Sequence, residues 1–135
     1  MKVFFYGLFM DVDLLAKKGI TPQVAVVGHV DGFSLHIGER ATLLRSAGAR
    51  AYGVMMEISS GEAKDLYAES SVADYVPKAI TVELMDGSEV EASCYTLPDD
   101  KITETNKDYA KALLQVADKL GLPETYIAEI TQACV

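Results

Sequence analysis

A chain of 135 residues, half of them hydrophobic and 24% charged, is long enough to bury a core without disulfides or structural metal and too apolar to stay disordered. Twelve basic residues stand against 20 acidic ones, a net charge of −8. That field repels nucleic acid and anionic membranes and excludes both as natural partners.

The first residues carry a single lysine and no long apolar run. No signal peptide and no membrane span is expected, and the expected location is cytoplasmic. Cys94 and Cys134, the only cysteines, make neither a disulfide framework nor a zinc site. Cys94 reads as a small buried hydrophobe, and Cys134 as the same or as a free thiol near the end.

Val3, Phe4 and Phe5 predict a short buried strand. It runs into Tyr6-Gly7, and a helix is predicted over 11–18, with an acidic start, Lys17 and Lys18 in its last turn and Gly19 just past its end. A strand that turns at a glycine into a helix leaves backbone N–H groups free, an arrangement suited to an anion. A plain turn beside an aromatic core residue fits those residues too.

Residues 23–37 favour strand; Asp31-Gly32 inside them fits either a tight turn or a kink in one long strand. Residues 40–44 predict another short strand, followed by a loop through Gly48. Residues 51–58 predict a strand in which Gly53 marks a close approach by another segment. Ser59 and Glu62 have the spacing of a capping box, opening a helix that ends around 67–69.

Residues 79–85 alternate, with Ile80, Val82 and Leu84 on one face. Asp86-Gly87 turns the chain into a return strand carrying Val90, Ala92 and Cys94 inward, which predicts a hairpin. Tyr109, Leu113, Val116, Ala117 and Leu120 then recur at helical spacing, with Thr103 or Thr105 as cap and Gly121-Leu122-Pro123 as stop. A last helix follows with Ile127 and Ile130 inward. Strands first and helices last, without regular βαβ alternation, predict an α+β chain whose mixed, mostly antiparallel sheet curls into a small barrel. The expected organisation is one domain over 1–135: a barrel core over about 1–98, and a helical C-terminal extension over about 103–135 packed on the outside.

The common catalytic and phosphate-binding motifs are missing. His29 and His36, seven apart in a strand-like stretch, point to opposite faces and predict no shared metal site. Glu69 differs from the other acidic residues by its place where a helix ends. There the helix dipole disfavours a carboxylate's charge and brings it closer to proton-transfer chemistry, although short helices also end in surface glutamates.

Taken together, five stretches resemble the γ-glutamylcyclotransferase-like superfamily in its short bacterial and plant branches. Phe5-Tyr6-Gly7-Leu8-Phe9-Met10 is similar to Y-G-[ST]-x-[LM], and Val27-Gly28-His29-Val30-Asp31-Gly32-Phe33 to G-x-x-x-G-[FY]. Arg40-Ala41-Thr42-Leu43 followed by Ala51-Tyr52-Gly53-Val54 resembles R-A-T-[IL] and the strand after it. Leu66-Tyr67-Ala68-Glu69 with Tyr75 resembles L-x-x-[FY]-E…Y, and Ala92-Ser93-Cys94-Tyr95 resembles A-x-x-Y. Leu8 stands where the family has a hydroxyl residue, Glu69 is offset by one from Tyr67, and Pro77-Lys78 replaces an arginine usual after the tyrosine.

The resemblance implies a small-molecule γ-glutamyl amide as substrate, a monomer or homodimer, and no metal or cofactor. The α-amine of the γ-glutamyl group would attack its own γ-carbonyl, closing 5-oxoproline and expelling an amine. It implies Glu69 as general base and acid, and the backbone of Gly7, Leu8 and Phe9 as the holder of the α-carboxylate. Tyr6, Tyr75 and Tyr95 would line the pocket, with Tyr6 and Tyr95 able to donate to the developing oxyanion. A non-catalytic binder of a γ-glutamyl or 5-oxoproline-like ligand is the alternative.

Overall fold

The computed structural model describes all 135 residues. Five strands close into a barrel: β1 (Lys2–Phe5), β2 (Val24–Ile37), β3 (Ala41–Glu57), β4 (Val76–Leu84) and β5 (Glu89–Thr96). Their order around it is β1-β3-β2-β4-β5. Every pairing is antiparallel except the closing one, where β1 meets β5 in parallel at Val3 and Ser93. Four helices flank the barrel: α1 (Val12–Lys17), α2 (Ser60–Leu66), α3 (Lys107–Leu120) and α4 (Glu124–Gln132).

Both faces of β1 are covered: Phe4 is buried on the face that carries Val82 and Cys94, and Phe5 on the face that carries Met56, all at 2% exposure or less. Each large apolar side chain so buried contributes roughly 1.5–3 kcal/mol. The close approach expected at Gly53 comes from β1: a Cβ there would lie 2.2 Å from the Phe5 carbonyl oxygen and 2.7 Å from the Phe4 ring. Only glycine lets β1 dock against β3 at this height.

β2 and β3 form one long hairpin with its tip at residues 38–40, between the pair Ile37–Ala41. The loop expected through Gly48 is instead a bulge within continuous β3. Residues 46–49 stand opposite the single residue Gly32, between the pairs Asp31–Arg50 and Phe33–Arg45. Of the two readings of Asp31-Gly32, the kinked long strand is the correct one. A bulge bends its strand and strengthens the local twist, so the hairpin leaves the β4 seam, where only Gly28–Leu84 and His29–Glu83 pair.

The hairpin tip is held by the segment before α3. The Glu39 N–H donates to Thr103 Oγ1 at 2.6 Å, the Asn106 N–H donates to the Gly38 carbonyl at 2.9 Å, and His36 Nε2 lies 3.2 Å from the Thr103 carbonyl. Asn106, rather than Thr103 or Thr105, caps α3. Its side chain accepts from the Asp108 and Tyr109 N–H groups, while Thr103 is committed to the tip. The capping box of α2 forms as its spacing predicts, with bonds of 3.0 and 2.9 Å.

α3 buries Tyr109, Ala110, Leu113, Val116 and Ala117, the face predicted by its periodicity apart from half-buried Leu120. It packs outside the barrel and against α4, yet its first turn reaches the end of β1. No helix is long and apolar enough to cross a membrane.

Candidate active site

β1 ends at Phe5, and the chain turns through Tyr6 and Gly7 into a single 3-10 turn, Leu8–Met10. Beside this turn opens a narrow cleft with a free volume of about 30 Å³. Its walls come from four places. Phe5 to Phe9 supply the floor, Arg40 and Ala41 come from the hairpin tip, Tyr67, Val72 and Tyr75 from the segment after α2, and Tyr109 from α3.

The walls are aromatic. Phe9 meets Phe5 edge-on at 6.0 Å and Tyr67 at 5.9 Å, and Tyr67 in turn stacks on Tyr95 at 3.8 Å. Such contacts fix ring positions at about 0.5–1.5 kcal/mol apiece beyond burial. The Arg40 guanidinium lies 5.3 Å from the Tyr109 ring centre and 5.8 Å from that of Phe9, within cation–π range. No carboxylate comes within 4.0 Å of Arg40, whereas Arg50 pairs with Asp31.

Of the six binding residues expected from the sequence, Tyr6, Gly7, Leu8, Phe9 and Tyr75 line this cleft. Tyr95 does not; it backs Tyr67 from behind. The hydroxyls of Tyr6 and Tyr75 are already spent, Tyr6 donating to the Tyr95 carbonyl at 2.6 Å and Tyr75 to the Ala41 carbonyl. Burial, with the Cys94 thiol and neighbouring phenols adding to it, pushes the Tyr6 pKa well above the usual phenol value. Tyr6 therefore stays protonated and bonded to the protein. Tyr67 also lines the cleft, and its hydroxyl makes no protein hydrogen bond.

The backbone cradle is only partly open. The Gly7 N–H has no protein acceptor, but the Leu8 N–H donates to the Tyr109 hydroxyl at 3.2 Å. Tyr109 also explains the glycine, since a Cβ at Gly7 would lie 2.6 Å from the Tyr109 hydroxyl oxygen.

Glu69 sits elsewhere. α2 ends at Leu66, and Glu69 precedes a second 3-10 turn, Ser70–Val72, so the expected place at a helix C-terminus is lost. Its neighbours Tyr67 and Val72 line the cleft, but its carboxylate is bound through both oxygens to Lys18 Nζ, at 2.8 and 3.0 Å. Lys18 Nζ in turn lies 6.0 Å from the Phe9 ring centre. Glu69 lines a separate depression with Lys18, Gly19, Ile20 and Glu62.

Arg40, Tyr67 and Tyr109 were not among the expected site residues. Arg40 and Tyr67 stood inside quoted motifs, so a signal existed. Tyr109 carried none beyond helical periodicity, because its role depends on where α3 docks. A larger depression of about 330 Å³ adjoins the cleft and shares Arg40 and Tyr75 with it, its other walls including Glu39, Asp74, Asp100 and Lys101. Burial pushes the Cys94 thiol up to about 12, against a weaker opposing effect of Lys78, so it offers no thiolate. No three His, Cys, Asp or Glu side chains converge as metal ligands.

Among solved structures, a gamma-glutamyl cyclotransferase superposes with a TM-score of 0.80 at 18% identity, covering 96% of this chain and 85% of that one. A yeast gamma-glutamyl cyclotransferase specific to glutathione gives 0.71 at 13% identity, covering 99% and 95%. An AIG2-like protein from mouse gives 0.55 at 20% identity, covering 70% and 75%. At these identities the likeness establishes the fold. No curated protein matches the sequence. The model of the AIG2-like family matches residues 50–130, from the second half of β3 through most of α4. The chain belongs to the AIG2-like family and, with it, to the γ-glutamylcyclotransferase-like superfamily.

Proposed function

We propose that this protein closes γ-glutamyl amides into 5-oxoproline in the cleft at the end of β1. One observation carries the reading: the cleft is rich in donors and holds no carboxylate of its own. Arg40 lacks an acidic partner, the Gly7 N–H is unpaired, and Tyr67 and Tyr109 bring hydroxyls whose protons no protein group accepts. Such a surface suits an anionic ligand, here the α-carboxylate of a γ-glutamyl group.

The chemistry asks little else of the protein. Nucleophile and electrophile belong to one molecule, so ordering them alone is worth effective molarities of about 10⁵ M or more. The α-ammonium gives a proton to a base, its nitrogen bonds to the γ-carbon, and a tetrahedral oxyanion forms. Tyr67 is the available donor to that oxyanion. Collapse breaks the original amide bond as the leaving nitrogen takes that proton. The ring nitrogen gives its second proton to the freed base, from which it passes to the departing amine, so that a neutral lactam and an ammonium result. The adjoining depression behind Arg40 and Tyr75 gives the leaving amine room.

Glu69 is the proposed proton carrier. It must release Lys18 and turn towards the cleft that its chain neighbours Tyr67 and Val72 line. The same ion pair, together with Leu8, favours the second reading, a non-catalytic binder of γ-glutamyl or 5-oxoproline-like ligands. Incubation with a panel of γ-glutamyl amino acids and γ-glutamyl amines separates the two. Release of 5-oxoproline establishes the enzyme; binding of 5-oxoproline without release of product from any amide establishes the binder.

A further inference from the structure

The hairpin of β2 and β3 leaves β4 at its bulge, and the sheet stays open beyond the seam. β2 pairs with β4 only at Gly28–Leu84 and His29–Glu83. Residues 31–37 of β2 then have a strand partner on one side alone, β3, and residues 76–81 of β4 have one in β5 alone. β4 carries Pro77 there, a residue without an N–H that sheets keep for their edges. β2 has no proline, so its free edge keeps every N–H and C=O group. Half-buried Phe33 stands at this opening with two cations against its ring: the Arg45 guanidinium and the Lys78 ammonium each lie 5.5 Å from the ring centre. Neither cation has a carboxylate within 4.0 Å, whereas Lys18, Arg50 and Lys119 are all paired. On a chain of net charge −8, two unpaired like charges on one ring form a local reversal of sign, and they repel each other until an anion joins them.

We propose that this opening docks an acidic segment of a partner protein in extended form. The segment adds its backbone to the free edge of β2 at residues 31–37, and carboxylates at alternate positions meet Arg45 and Lys78. Strand addition supplies affinity through main-chain hydrogen bonds, and the alternate side chains supply the choice of partner. The spacing suits it: side chains on one face of an extended chain recur at roughly 6.6–6.8 Å, the scale of two charges seated on one ring. β2 is the edge that receives the segment because Pro77 deprives β4 of a donor. An anionic membrane or a nucleic acid is a poorer occupant, because the acidic remainder of the surface repels a large anion while a short segment meets the two cations alone. Arg45, Lys78 and Phe33 lie outside the cleft at the end of β1, so this surface is independent of the cyclotransferase-type reading.

The test titrates the full chain with a short peptide of alternating threonine and glutamate, with its counterpart carrying glutamine for glutamate, and with the acidic peptide N-methylated at alternate residues. Affinity is read by fluorescence anisotropy of the labelled peptide, and the site by NMR shifts and amide hydrogen exchange. Accessible ion pairs are each worth up to about fivefold in affinity. The acidic peptide should bind about fivefold or more tightly than the glutamine peptide, less so at high salt, and should slow exchange of amides within residues 31–37. Arg45→Gln, at an exposed position, and Lys78→Gln should each erode the preference, and together they should remove it with the NMR spectrum otherwise native. N-methylation should abolish binding. The proposal is overturned if wild type binds the acidic and glutamine peptides equally, if the methylated peptide binds as well as the unmodified one, or if the double variant keeps the preference. Binding to phosphatidylserine vesicles without binding to the peptide, or a dimer of this chain that protects the same amides unaided, would also overturn it.

Discussion

Exchanging Lys18 for methionine tests whether the Glu69 carboxylate is poised for work or parked. In the resting structure Glu69 is bound by Lys18 through both oxygens, with side-chain exposures of 38% and 29%. An ion pair this accessible is screened by water, and pairs of its kind contribute about 0.2–1 kcal/mol. That energy corresponds to a factor of about 1.4–5 in the population of free carboxylate. Lys18→Met should therefore change folding stability by no more than about 1 kcal/mol and raise the rate of 5-oxoproline release by no more than about fivefold. Glu69→Gln removes the proton carrier itself and should lower release by about 10²–10⁴-fold with little change in binding. The assay is chromatographic quantification of 5-oxoproline under saturating γ-glutamyl amide, run alongside urea denaturation of each variant. Equal rates for the wild type and Glu69→Gln would refute Glu69 as the proton carrier. A Lys18→Met enzyme far slower than wild type would show instead that the lysine acts within the site.

Three further predictions concern the scaffold. Gly53→Ala places a Cβ 2.2 Å from the Phe5 carbonyl oxygen and 2.7 Å from the Phe4 ring, so β1 must shift. A loss of about 1–3 kcal/mol or more in denaturant stability is expected, and a wild-type midpoint would contradict the closeness of β1 and β3. Cys94 is wholly buried with its thiol pushed up to about 12, while Cys134 is half-buried. A thiol reagent at pH 8 should label one cysteine in the native protein and two after unfolding. Arg50 hydrogen-bonds Asp31 and holds its carboxyl below the usual carboxylate range. Its stabilisation is fully present above about pH 4, the unfolded value, and is lost as pH falls through the lower folded one. Asp31→Asn should remove a small part of the acid-induced loss of stability, small because the pair is exposed, and leave stability at pH 7 almost unchanged.

Much of the site could be read from the residues because it lies on contiguous chain. Tyr6 to Phe9 form one turn at the end of one strand, and a buried strand running into glycine has few other places to go. Arg40 and Tyr67 belonged to motifs already noticed, though their part in the cleft was not evident from spacing. Glu69 shows the limit of such reading. Its setting follows from an expected helix end around 67–69, whereas α2 ends at Leu66 and the carboxylate is bound to Lys18, 51 residues away in sequence.

The sequence by itself determined most of the element types, the capping box of α2, the hairpin of β4 and β5 and the family resemblance. All of these follow from periodicity, caps and turn residues acting within a few positions of one another. Tertiary structure decided what depends on distant partners. The bulge at 46–49 exists because β2 offers only Gly32 opposite it. Asn106 won the cap because Thr103 was engaged by Glu39. Tyr109, a core residue by helical spacing, became a wall of the cleft because α3 docks its first turn against Gly7, 102 residues earlier in the chain. Local rules choose the elements, but a hydroxyl supplied from the far end of the chain can be assigned only once the barrel has closed.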